Sequence, residues 1–281
     1  MGILKSSTEW LSSLFTNKDN TFCPSFFRHA IDHAWKRERP VLKRNYKMLI
    51  YCILFQWVHN LSTNIARFLH IPRQVPLYDI GFVLLPSLGE NNEYEYLCDV
   101  IFAICIGLTV LVWLSPFVVK RTGQSSVVML SRFMAVLVSA QSLRILTFVM
   151  TDLPGPSPRC NPEHQWYNQP KTVVDILWSS CVGFFRIGCG ELVFSSRMML
   201  VVLCLLVIAK YGRRRMLTFT FIILAVLYGL MVIAARREYS LSVFIAWYVV
   251  PLVWVVYGRN FPDDSEVLPP TRQRNTIMTE P

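Results

Sequence analysis

Two short stretches of the chain hold residue types that handle phosphate. The first runs Cys189-Gly190-Glu191-Leu192-Val193-Phe194-Ser195-Ser196-Arg197, and the second Arg236-Arg237-Glu238-Tyr239-Ser240-Leu241-Ser242-Val243. A guanidinium such as that of Arg197 stays charged throughout the physiological range, and its fork of donors matches phosphate oxygens. It can hold a phosphate but cannot shuttle a proton. A carboxylate such as Glu238 can in principle attack phosphorus to give an acyl phosphate. Ser242, four residues on, supplies no second carboxylate to orient it. Proton exchange near neutral pH calls for histidine, and none follows His164. His59 and His70 stand far back along the chain, and His164 has no triad companions around it.

Whatever these residues do, membrane helices must position them. The chain is 281 residues long and 53% hydrophobic, with a mean hydropathy of +0.39. A bilayer core asks for about 20 predominantly apolar residues per helix. Six stretches qualify, at roughly 48–66, 98–118, 128–150, 191–209, 216–235 and 240–258. Hydrocarbon leaves no solvent for unpaired backbone groups, so continuous apolar runs of this kind read as helices. The expected fold is therefore all-α and polytopic. The first span is interrupted by His59, Asn60 and Asn64, and a re-entrant or protein-buried helix is the alternative there. The expected organisation is a basic amphipathic arm (1–47), one six-helix domain (48–258) and a flexible polar tail (259–281).

Flanking charge sets the orientation. Eighteen lysines and arginines fall on the side that holds both termini, seven on the other, and Arg132, Arg144 and Arg197 lie within helices. Both termini are thus expected in the cytosol or its organellar equivalent. The formal net charge of +10 sits on juxtamembrane loops, where it attracts anionic headgroups. It lies in no recognisable nucleic-acid module, and no nucleic-acid partner is expected. Arg132, near the end of its helix, is expected to snorkel to the interface.

The eight cysteines show no metal-type spacing, and neither a metal nor a cofactor is expected. Cys52, Cys105 and Cys204 read as small buried apolar residues. Cys160 can pair with Cys181 or Cys189 if their face is oxidising. Residues 1–45 show no cleavable secretory signal. Met1-Gly2-Ile3-Leu4-Lys5-Ser6 fits the short myristoylation pattern, which chance also produces.

Four blocks, in order and in register, carry a family resemblance. Cys189 to Arg197 resembles the Cys-Gly-Asp-x-x-x-Ser-Ser-His signature of the sphingolipid synthases, the sphingomyelin synthase and plant-type inositol phosphorylceramide synthase group. Glu238 to Val243 is similar to the group's His-Tyr-Ser/Thr-x-Asp-Val block. Pro76-Leu77-Tyr78-Asp79-Ile80-Gly81-Phe82-Val83-Leu84-Leu85-Pro86 resembles Pro-x-x-Asp-x-Gly-Phe-x-Leu-Leu-Pro. Arg144 to Phe148 with Thr151 to Pro156 resembles Arg-Ile-x-Thr-Phe followed by Thr-x-Leu-Pro-Gly-Pro.

The resemblance implies six transmembrane helices of the sphingomyelin synthase and lipid phosphatase type. It also implies transfer of a phospho-headgroup to ceramide through a nucleophilic histidine, an orienting aspartate and a second histidine. Those three positions are here Glu238, Ser242 and Arg197. The chain thus reads as a synthase scaffold without its catalytic residues, serving as a structural or assembly subunit of a membrane complex. A non-catalytic lipid-binding regulator and an active synthase with altered residues are the alternatives. Arg144, Arg197, Asp79 and Tyr239 are the candidates for holding lipid or phosphate, with Arg144 otherwise a structural partner of Glu191, Asp152 or a helix end. Arg197 and Glu238 are expected to form an ion pair; alternatively Glu238 faces solvent beside Arg236 or Arg237. Expected partners are phospholipid, ceramide and other membrane-protein subunits. Resemblance points to Golgi or endoplasmic reticulum, with the mitochondrial inner membrane as the alternative.

Overall fold

The computed structural model describes residues 24–71, 75–88, 92–118, 125–157, 160, 169–182, 189, 192–212 and 215–261. Its helices are α1 (Pro24–Leu69), α2 (Ile80–Leu84), α3 (Asn92–Val118), α4 (Ser126–Met150), α5 (Val173–Val182), α6 (Ser196–Tyr211), α7 (Arg215–Ala234) and α8 (Ser240–Asn260). Among the described residues there is no strand, and the all-α expectation holds.

Among the described residues, four helices are long and apolar enough to cross a bilayer: Tyr96–Ser115 within α3, then α4, α7 and α8. The other two expected spans differ for physical reasons. Helix α6 has 16 residues, about 24 Å at 1.5 Å per residue, which falls short of a hydrocarbon layer of about 30 Å. It is the centre of the bundle. Met198, Met199, Val201, Val202, Leu203, Cys204, Val207 and Ile208 are all buried against α3, α4, α7 and α8. Around it, α7 turns Ile222, Ile223, Val226, Leu227 and Leu230 outward. An apolar face of this kind suits contact with lipid tails better than with water.

Helix α1 is continuous through 46 residues, so the boundary expected at 47/48 falls inside it. Residues 1–23 and 262–281, with Phe22 and most of the tail, lie outside the described residues. Polar side chains join α1 to α4 at four levels. Buried Glu38 accepts the Ser125 hydroxyl at 2.5 Å and the backbone N–H of Ser126 and Val127 at 3.2 and 3.1 Å, capping the start of α4. Gln56 and Gln141 exchange amide hydrogen bonds at 2.9 Å in both directions. Arg144 donates to His59 Nε2 at 3.0 Å, and His70 Nδ1 meets Asp152 at 2.6 Å. The sequence separations of these pairs, 87, 85, 85 and 82, hardly change. The two helices therefore run parallel and nearly in register. His59, one of the residues that interrupt the first apolar run, belongs to this polar seam.

That register sets Lys47 level with Arg132, near the end of the bundle that holds Gly258. Arg132 does not snorkel outward. It is 5% exposed and lies over the Trp254 ring, 4.5 Å from its centroid. A side-chain Cβ at position 258 would stand 2.3 Å from the Arg132 guanidinium, so glycine there makes the room.

Helix α5 had no counterpart among the expected spans, because its ten residues are too short to cross. Asp175 accepts the N–H of Lys171 and Thr172 and returns its own N–H to the Thr172 hydroxyl, a local cap that starts the helix. Gln169 Nε2 lies 2.9–3.0 Å from the carbonyls of Arg67, Phe68 and His70 and so covers the end of α1. Asn64 then meets Ser180 at 3.0 Å. Helix α5 thus runs back alongside α1, with Val173, Val174, Leu177 and Trp178 exposed. Cys160 and Cys189 form a disulfide with a Cα–Cα distance of 5.6 Å. Of the two pairings left open by the sequence, this leaves Cys181 as the free, exposed thiol.

Candidate headgroup site at the start of α6

The turn between α7 and α8 aims the site. Helix α7 ends with Arg236 N–H bonded to the Ile233 carbonyl at 3.0 Å and Arg237 N–H to the Val232 carbonyl at 3.1 Å, the paired bonds of a Schellman cap. Arg236 takes the left-handed position with φ of 55°, where glycine is usual and other residues cost roughly 1–2 kcal/mol. Its guanidinium offsets this strain by lying over the Phe82 ring at 4.3 Å and donating to the Phe82 carbonyl at 2.6 Å. The reversal turns Arg237 and Glu238 back toward the start of α6.

Helix α6 begins at Ser195, whose hydroxyl accepts the Met198 N–H at 3.0 Å. Ser195 N–H reaches the Ser242 carbonyl at 3.4 Å, which ties this start to the first turn of α8. Arg197 therefore stands one residue inside α6, Glu238 just before α8, and Ser242 within its first turn. The three replaced positions meet at one place.

They do not pair as expected. Arg197 donates to Asp99 Oδ1 at 2.5 Å and Arg237 to the same oxygen at 3.1 Å. None of Arg197, Arg236 and Arg237 holds Glu238 in an ion pair among the described residues. Glu238 takes a hydrogen bond from the Ser195 side chain, and its Oε2 is buried without a partner among the described residues. Burial pushes its carboxyl above the ordinary range, against the pull of Ser195 and the charges of Arg197, Arg144 and Arg237. An acid so placed favours its neutral form. The Tyr228 hydroxyl is likewise buried without a partner. Ser242 spends its hydroxyl on the Tyr239 carbonyl at 2.7 Å.

The lipid-binding candidates divide. Arg197 lines the site with 18% of its side chain exposed. Arg144 lies deeper, 2% exposed. Its Nε donates to the Phe194 carbonyl at 2.7 Å, Nη1 meets His59 Nε2 at 3.0 Å, and the guanidinium lies 5.3 Å from the centroid of the Phe148 ring. Of the partners weighed for it, Glu191 lies outside the described residues, and Asp152 is engaged by His70. Asp79 and Tyr239 form an adjoining knot. Asp79 Oδ1 accepts the Gly81 N–H at 2.7 Å and also the Ser240 hydroxyl, and Oδ2 accepts the Ser240 N–H at 2.7 Å. One carboxylate thus caps both α2 and α8. Tyr239 donates to the Pro154 carbonyl at 2.7 Å, accepts the Leu77 N–H at 3.1 Å and stacks on Phe82. Gly81 is required between these parts, since a Cβ there would meet Ile233 at 2.9 Å.

Sequence reasoning missed Asp99 and Glu38. The signal for each was an acidic residue where the surroundings argue against it, at the head of an apolar run and inside a basic arm. His164 lies outside the described residues. His59 and His70 are committed to Arg144 and Asp152. Among the described residues no cluster of three His, Cys, Asp or Glu could hold a metal ion.

Residues 188–259, which contain all three replaced positions, match the family description PAP2 superfamily C-terminal. Phosphatidylinositol:ceramide inositolphosphotransferase 2 of Arabidopsis thaliana is 31% identical over 271 residues, which cover 91% of this chain and 86% of that protein. Phosphatidylinositol:ceramide inositolphosphotransferase 3 of the same plant is 30% identical over 252 residues, covering 86% of each. The enzyme of that name from Oryza sativa subsp. indica is 31% identical over 229 residues, 80% of this chain and 69% of its own length. The chain belongs to this family, the plant-type inositol phosphorylceramide synthases among the sphingolipid synthases.

Proposed function

We propose that the chain is a catalytically inactive member of its family, a structural or assembly subunit of a membrane complex that keeps a phospholipid headgroup site. The observation that carries this reading is the set of three substitutions at one place. Arg197 cannot exchange a proton, Ser242 cannot orient an imidazole, and Glu238 is buried where its neutral form is favoured. Two guanidiniums remain to hold a phosphate. Purified chain given fluorescent ceramide with phosphatidylinositol or phosphatidylcholine is expected to form no phosphosphingolipid above a no-protein control. Turnover that disappears in Glu238→Ala would instead establish the second reading, an active transferase with a carboxylate nucleophile. The position of Glu238 among three guanidiniums is what favours that reading. An obligate subunit should also run with partner proteins in mild detergent, whereas a free-standing lipid-binding regulator should not.

The same reading takes α1, α3, α4, α6, α7 and α8 as six spans, α6 being enclosed by its neighbours, and places both termini in the cytosol. The compartment follows the family, Golgi or endoplasmic reticulum, with the mitochondrial inner membrane second. Tags at the two ends should be equally open to protease in sealed organelles, and fluorescence of the full chain identifies which organelle. Tags on opposite faces would remove one span from the count.

A further inference from the structure

We propose that Asp99 is a built-in occupant of the phosphate fork formed by Arg197 and Arg237, so that the chain's own carboxylate closes the headgroup site until a phosphate-bearing anion displaces it. The proposal rests on the headgroup reading above and names how that site is controlled.

The geometry is lopsided in a telling way. Two guanidiniums from different parts of the chain, the first turn of α6 and the α7–α8 turn, converge on one oxygen of one carboxylate. Their side chains are 18% and 6% exposed, while that of Asp99 is 51% exposed. The cations are built into the wall and the anion sits on the rim. The backbone of Arg237 is set by the Schellman turn and that of Arg197 by the capped start of α6, both independently of Asp99. Asp99 belongs to α3, a separate helix that reaches across to them.

A half-exposed ion pair of this kind holds weakly, because water and salt screen it. A planar carboxylate that shares one oxygen between two forks uses little of what they offer. A tetrahedral phosphate can give each guanidinium its own oxygens in charge-assisted, bidentate fashion. Once Asp99 swings out, the Arg144 charge behind the site, already felt at Glu238, adds to the attraction. The neutral form of Glu238 does not oppose it. The ligand class is therefore a phosphate-bearing anion, on a lipid headgroup or free.

The test uses the full chain in phosphatidylcholine nanodiscs, titrated with inorganic phosphate, or prepared with phosphatidic acid or phosphatidylinositol. Asp99→Asn should bind at least one of these about fivefold more tightly than the native chain, the scale of one screened ion pair. Asp175→Asn, the same loss of charge away from the fork, should leave binding unchanged. A gain with the lipids alone assigns the site to a headgroup, and a gain with inorganic phosphate as well assigns it to phosphate as such. The gain should vanish in the Asp99→Asn, Arg197→Gln double variant; a gain that survives there overturns the fork. Equal binding by native chain and Asp99→Asn overturns the plug but leaves the headgroup reading standing. Binding by neither overturns both. Should Asp99→Asn fail to fold, the native chain still decides. Hydrogen exchange at residues 96–102 should rise when a probe saturates the site, and unchanged or increased protection there overturns displacement.

Discussion

Arg144→Leu is expected to lower the melting temperature of the detergent-purified chain by about 10 °C, from a loss of a few kcal/mol at roughly 2–4 °C per kcal/mol for a chain of this size. An ordinary hydrogen bond between membrane helices contributes only about 0.6 kcal/mol on average, so the expected size depends on what is left behind. Removing the guanidinium strands the buried Phe194 carbonyl and takes one partner from the buried His59 ring. Leaving a buried acceptor unsatisfied costs about 1–3 kcal/mol. The Phe194 carbonyl also immediately precedes the cap of α6, so the loss reaches the central helix. Arg144→Lys retains the charge but not the separate Nε and Nη donors, and should recover less than half of the loss. If Arg144 were chiefly a phosphate ligand, both variants would weaken phospholipid binding and leave the melting temperature nearly unchanged.

Asp79→Asn should be almost as damaging, although it changes a single atom. The native carboxylate accepts from Gly81 N–H, Ser240 N–H and the Ser240 hydroxyl. Hydrogen bonds to a charged group contribute about 1.5–3 kcal/mol each, and a carboxylate at the start of α8 adds about 0.3–1 kcal/mol through the helix dipole. An amide has one oxygen for these donors and turns its own NH2 toward the rest. A loss of about 3 kcal/mol or more is expected, read as a lower midpoint in thermal or denaturant unfolding. Asp79→Ala should fall in the same range. A variant that unfolds normally yet loses affinity for phospholipid would return Asp79 to the role of lipid ligand.

Much of the fold was legible because apolar runs leave the backbone few choices. The α3, α4, α7 and α8 spans lie close to where hydropathy placed them. Helix α6 was found as a run, but composition could not reveal that it lies inside the bundle, where length need not match the bilayer. Helix α5 was invisible for the opposite reason, since its stability comes from a local cap and from α1 rather than from span length. The site itself was half legible. The family blocks pointed to Arg197, Glu238 and Ser242, which lie near one another because the starts of α6 and α8 are tied by the Ser195–Ser242 backbone bond. The pairing of charges did not follow, because it depends on Asp99 in a third helix and on a left-handed residue at Arg236, which nothing in the local sequence announces. Arg132 failed for a related reason: hydropathy cannot tell an arginine that reaches for headgroups from one that finds an indole and a glycine.

The four polar links between α1 and α4 have a mechanical consequence. Spaced from Glu38 to Asp152 along nearly the whole shared length, they join two parallel helices into one stiff post, and sliding either past the other would break all four at once. Any admission of a lipid from the side must then happen elsewhere in the wall. Helix α3 packs against both of these helices as well as α6 and α7, and it reaches the site through a half-exposed carboxylate. The proposed displacement of Asp99 is therefore a movement of its side chain beside a stiff post.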